Sequence, residues 1–119
     1  MKVKPSISIL TGFLFLFDID YPHEESVEEL ICLADVNDYS ELSKVFDIVV
    51  RPDFLNYSED DRCWLIETIS FFLNENDSFK AIFEKRSFLF SDEIEDGRFF
   101  MSTLLGRLQA YQQEMIRVE

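Results

Sequence analysis

GFLFLFDIDY, residues 12–21, runs a block of large apolar side chains, Phe13 to Phe17, straight into two carboxylates spaced by one residue, Asp18 and Asp20. The apolar half has to be buried, because a patch of that size left in water invites association, whereas the carboxylates resist burial unless something pairs with them. The stretch therefore marks where core meets surface. Extended back to Pro5, it places Ile7, Leu10, Leu14 and Phe17 at helical spacing, with Ile9, Phe13 and Leu16 as a second stripe. That pattern predicts a helix from Pro5 to Asp18 at the centre of a bundle. Pro22, which has no amide hydrogen, closes the element.

Outward from there the chain reads as a succession of helices. Ser26 and Glu29 form a capping box for a second helix with Val27, Leu30, Ile31 and Ala34 as its apolar stripe. Asp38 and Glu41 repeat the pattern ahead of Leu42, Val45, Phe46 and Val49, and this third helix is expected to stop before Arg51 and Pro52, with a loop from Pro52 to Tyr57. Ser58 heads a fourth helix with Glu59, Asp60 and Asp61 in its first turn, where the helix dipole favours carboxylates. Leu65, Ile66, Ile69, Phe72 and Leu73 are its apolar face, and the polar turn Asn74 to Ser78 ends it. A fifth helix is expected from Phe79 to Lys85. The last and longest is expected to start near Ser91, with Asp92, Glu93, Glu95 and Asp96 in its first turns and Met101, Leu104, Leu108 and Tyr111 on one side with Ile94, Leu105 and Met115. The expected fold is all-α, a compact single-domain bundle over residues 1–119 with five to six helices and a long C-terminal one. Composition agrees, since 3 Gly and 3 Pro are too few for the many turns of an all-β chain. At 119 residues the chain is long enough to bury a core without disulfide or metal.

Charge is the strongest local signal. Between Pro5 and Ser43 there is no Lys or Arg, yet there are nine acids, Asp18, Asp20, Glu24, Glu25, Glu28, Glu29, Asp35, Asp38 and Glu41. A solvated helix face normally mixes signs, because like charges at helical spacing repel, so this third of the chain forgoes local support. The formal charge of −13 over the whole chain excludes a basic footprint for nucleic acid or anionic membrane and makes a cationic protein the natural partner. Lys2 and Lys4 ahead of the apolar run imitate a signal peptide. No small-residue cleavage pattern follows, and the run is too short to span a membrane, which points to the core of a cytoplasmic protein.

Motifs for chemistry are sparse. Asp18, Asp20 and Glu29 occupy the first, third and twelfth places of a calcium loop, but Pro22 and His23 stand at its fifth and sixth, where the turn requires Gly. His23 is the single histidine, expected exposed in a loop and without a nucleophile beside it. Cys32, Cys63 and His23 do not make a zinc set and the two thiols read as small buried hydrophobes. The isolated Gly12, Gly97 and Gly106 form no phosphate loop. No enzyme, metal or cofactor is expected.

The segment LTGFLFLFDIDYPHEESVEELI, residues 10–31, resembles the aromatic-rich helical turn, the Asp and the acidic helix start of CdiI-type immunity proteins from bacterial contact-dependent growth inhibition systems. Those proteins often carry Gln where this chain has Phe17. The resemblance implies a small helical cytoplasmic protein, monomeric or in a 1:1 heterocomplex, that binds a cognate toxin domain and blocks it stoichiometrically. Such toxins are commonly nucleases and therefore basic, which agrees with the charge reading. The expected contact residues are Asp18, Asp20, Glu24, Glu25, Asp35 and Asp38, then the clusters Glu59, Asp60, Asp61 and Asp92, Glu93, Glu95, Asp96. Two other readings use the same chain: an acidic nucleic-acid mimic that inhibits a DNA-binding protein, interrupted by Arg62, Lys80, Lys85 and Arg86, and a helical adaptor with an apolar groove.

Overall fold

A computed structural model describes residues 5–118. Six α-helices follow one another: α1 (Ile7–Phe13), α2 (Glu25–Leu33), α3 (Tyr39–Leu55), α4 (Glu59–Asn74), α5 (Lys80–Lys85) and α6 (Gly97–Val118). A 3-10 turn, Leu14–Phe17, extends α1, and a lone antiparallel bridge joins Asp18 to Phe88. The radius of gyration, 13.8 Å, is close to the ~13.5 Å of a compact chain of this length, as one domain requires. Among the described residues no helix is long and apolar enough to cross a membrane.

The Phe-rich run is helical but in two pieces. Ser6 caps α1 by accepting the N–H of Ser8, and after Phe13 the backbone tightens into the 3-10 turn. A period of three stacks Leu14 over Phe17 and Phe13 over Leu16, so both columns are buried and Phe15 is left half-buried with the Arg86 guanidinium 4.9 Å from its ring. The chain leaves the turn at Asp18, where the Ile19 N–H donates to the Ser87 carbonyl and the Leu89 N–H to the Phe17 carbonyl, both at 2.9 Å. The most extensive helix pair is α3 against α6, with α4 on the other flank of α6. The aromatic centre is Phe100 of α6, whose ring meets those of Phe17, Phe46, Phe83, Phe88 and Phe90 at centroid distances between 5.2 and 6.4 Å. The opening run thus supplies one spoke, Phe17, of a hub carried by α6.

Asp38 caps α3 through the Glu41 N–H and Ser58 caps α4 through the Asp61 N–H, as their spacing predicts. Three boundaries differ from the sequence reading. Glu24, not Ser26, is the N-cap of α2 and gives no side-chain cap, so the Ser26–Glu29 box does not form. Helix α3 does not stop before Pro52 but continues to Leu55, because Phe54 is fully buried against the rings of Tyr111 and Tyr57, and that packing outweighs the backbone bond Pro52 cannot make. Helix α6 does not start near Ser91. Asn37 takes the Glu95 N–H on its Oδ1 and gives its Nδ2–H to the Glu93 carbonyl, so these backbone groups are withdrawn from helical pairing. Asp96 then caps α6 by accepting the N–H groups of Arg98 and Phe99.

Candidate functional site

Five arginines, Arg51, Arg62, Arg86, Arg98 and Arg107, are each held by groups of the protein itself. Arg98 donates to the carbonyl of Leu73 in the last turn of α4 and to that of Asp77 beyond it, at 3.0 and 2.8 Å. Arg62 is buried and donates to the Tyr57 carbonyl and to Gln112 on α6. Arg107 pairs with Asp47 at 2.9 Å, and Arg51 makes a two-pronged contact with Glu114, whose carboxyl the Arg51 hydrogen bond holds below its ordinary range. Arg86 donates to the Thr11 carbonyl at 2.9 Å and reaches Asp18 at 3.5 Å. Sequence reasoning counted Arg62, Lys80, Lys85 and Arg86 as interruptions of an acidic face. Arg62 and Arg86 are internal staples instead, whereas Lys80 and Lys85 are exposed.

With the arginines so placed, none of the acids from Asp20 to Glu41 forms an ion pair among the described residues. Two acidic segments far apart in sequence are brought side by side. Asn37 ties the loop after α2 to the loop before α6, and the Ser91 hydroxyl donates to the Cys32 carbonyl at 2.6 Å. Asp35 and Asp38 therefore adjoin Asp92, Glu93, Glu95 and Asp96, all exposed. Local hydrogen bonds fix several of them: Asp35 accepts the Asn37 N–H and Glu41 accepts the Asp35 N–H, each at 3.0 Å. Fixed, unneutralised carboxylates of this kind raise the approach rate of a cationic surface and cost little reorganisation on contact.

The remaining predicted residues separate into three places. Asp18 is only 6% exposed; its Oδ1 accepts the Asp20 N–H and its Oδ2 faces Arg86, so its carboxylate is engaged by its own chain. Asp20, Glu24 and Glu25 are exposed at the entry to α2, next to the acids of that helix. Glu59, Asp60 and Asp61 open α4 near Arg62, whose partner Gln112 lies fifteen residues, roughly 22 Å of helix, along α6 from Gly97. They belong to a different face.

No protein-family model, curated protein or solved structure matches this chain. Among the described residues no three His, Cys, Asp or Glu side chains come together as a metal site. His23 is not the exposed loop residue the sequence suggested: it is half-buried, its Nε2 donating to the Leu16 carbonyl at 2.6 Å and its ring lying 4.5 Å from that of Tyr21. Cys32 and Cys63 are free and half-buried. The residues that sequence reasoning overlooked are Asn37, which assembles the acidic face, and the exposed Leu33 on α2 and Ile48 on α3. A leucine 75% exposed at the end of a helix was the one signal available, since it falls outside the Val27, Leu30, Ile31, Ala34 stripe.

Proposed function

We propose that this chain is an immunity-type inhibitor that acts in the cytoplasm by binding a basic toxin domain, of the nuclease kind, one to one. The observation that carries the reading is the segregation of charge: Arg62, Arg86 and Arg98 turned inward, and the carboxylates of residues 35–38 and 92–96 gathered on one face by Asn37. A nuclease presents cations where its phosphate substrate lies, and a rigid acidic face complements that surface and closes the substrate path without turnover. The resemblance of residues 10–31 to CdiI-type immunity proteins supports the same reading. Electrostatic attraction sets the rate of encounter, and apolar contacts set how long the complex lasts.

Co-expression with the product of the gene immediately upstream, followed by co-purification at low and high salt, tests it. A 1:1 complex in which the neighbour is no longer toxic is the expected result. A neighbour that is harmless alone, or that never co-purifies even at low salt, refutes it.

A further inference from the structure

Helices α2 and α3 run antiparallel with an open trough between them. At one end Val27 of α2 faces Ile48 and Pro52 of α3 across a cavity of about 380 Å³. At the other, Leu30 and Leu33 face Val45 across a cavity of about 470 Å³. Leu33, 75% exposed, and Ile48, 50% exposed, give the trough open apolar side chains, beside Tyr21, His23 and Asn56 in the first cavity, and the edges are acidic, with Glu24 and Asp53 lining the first cavity and Glu41 the second. Lys44 is the one cation that lines either cavity.

From this we infer that the trough seats a basic amphipathic helix of the partner. The inference rests on the proposed binding of a basic protein and specifies how that protein is held. Two features select the occupant. The cavities lie seven residues apart along α2, from Val27 to Ala34, about 10.5 Å, which is the rise between apolar side chains at i and i+7 of a docked helix. The acids at the cavities, Glu24 and Asp53 at one and Glu41 at the other, then meet the cationic flank of that helix. A second copy of this chain does not fit, since it would set its own carboxylates against these at a formal charge of −13 each.

The test titrates the intact protein, at low salt, with two synthetic Leu/Lys peptides of about 18 residues and equal composition. One has its leucines at i, i+3/i+4 and i+7; the other spreads them around the helix. The amphipathic peptide is expected to bind about tenfold or more tightly than its isomer, with amide shifts on α2 and α3. Leu33→Asn with Ile48→Asn is expected to abolish that difference. Both side chains are half or more exposed, so the variant keeps its fold, which circular dichroism verifies. Equal binding of the two peptides overturns the trough and leaves the acidic face standing. Absence of binding by either at low salt overturns both.

Discussion

The Asn37 side-chain carbonyl accepts the backbone N–H of Glu95 at 3.1 Å across 58 positions of sequence. With the Nδ2–H of the same residue on the Glu93 carbonyl at 2.9 Å, one amide side chain sets both the start of α6 and the shape of the acidic face. Asn37→Ala removes both bonds and is expected to cost about 1–2 kcal/mol in chemical denaturation. The same change should weaken binding of the basic partner more than its modest loss of stability explains, because residues 92–96 lose their anchor. Unchanged affinity in the Ala variant would place the interface elsewhere.

Arg86 and Asp18 form a second long-range pair, one in which the carboxylate is 6% exposed. Arg86→Met strands that carboxylate without its cation and is expected to cost about 2–3 kcal/mol, below the usual figure for a buried pair because the contact is 3.5 Å long and Arg86 is partly exposed. Asp18→Asn retains an oxygen for the Asp20 N–H and should cost about 1 kcal/mol. Equal, small losses in both would show that water already solvates the carboxylate.

What could be read from the residues was whatever depends on near neighbours. Asp38 three places before Glu41 caps α3, and Ser58 caps α4, because the acceptor and the amide it serves lie within one turn. The apolar stripes of α3, α4 and α6 were likewise visible. The start of α6 was hidden because Asn37 takes backbone groups that an acidic helix start would otherwise use, and the passage of α3 through Pro52 was hidden because the reason for it, Tyr111, lies on another helix. For the candidate site the acids were countable but their neutralisation was not. Whether Arg86 faces solvent or the Thr11 carbonyl, 75 positions away, depends on the whole fold.

Two glycines of α6 make opposite predictions. A Cβ at Gly97 would stand 2.7 Å from the Ser78 carbonyl oxygen and 2.8 Å from the Phe83 ring, so Gly97→Ala must push α6 away from the α5 segment and is expected to lose about 1–3 kcal/mol. Nothing lies within 4 Å of a Cβ at Gly106, inside the same helix, so Gly106→Ala should gain about 0.5–1 kcal/mol from helix propensity. Thermal melts of the two variants check the pair; shifts of the same sign would contradict it.

Charge reversal separates the two acidic faces. Asp92→Lys with Glu93→Lys should slow association with the co-purified basic partner by about tenfold at low salt and flatten its dependence on ionic strength. Glu59→Lys with Asp60→Lys, at the start of α4 where Arg62 meets Gln112 near the far end of α6, should have a smaller effect. Stopped-flow or surface-based kinetics across a salt series measures both. Equal slowing by the two pairs would indicate a general field, not a face.

Tyr111 is fully buried and donates its hydroxyl to Asp47. Burial pushes its phenol above the ordinary value of 10.0, and the hydrogen bond to the Asp47 carboxylate pushes it further, against the opposing influence of Arg107. Tyr57 moves in the same direction through burial and its bond to Asp53. A phenol with a raised folded-state pKa keeps its proton while the unfolded chain gives it up, so the stabilisation it provides is complete below pH 10.0 and falls as pH rises beyond that point. The decline from Tyr111 is expected to reach up to about 1.4 kcal/mol per pH unit. Tyr111→Phe loses the hydrogen bond at neutral pH, about 1 kcal/mol because Arg107 still faces Asp47, but its unfolding free energy should fall less steeply through the alkaline range. Urea titrations at successive alkaline pH values read the slope directly, and an identical slope in the Phe variant would mean that the phenol ionises as easily in the fold as in the unfolded chain.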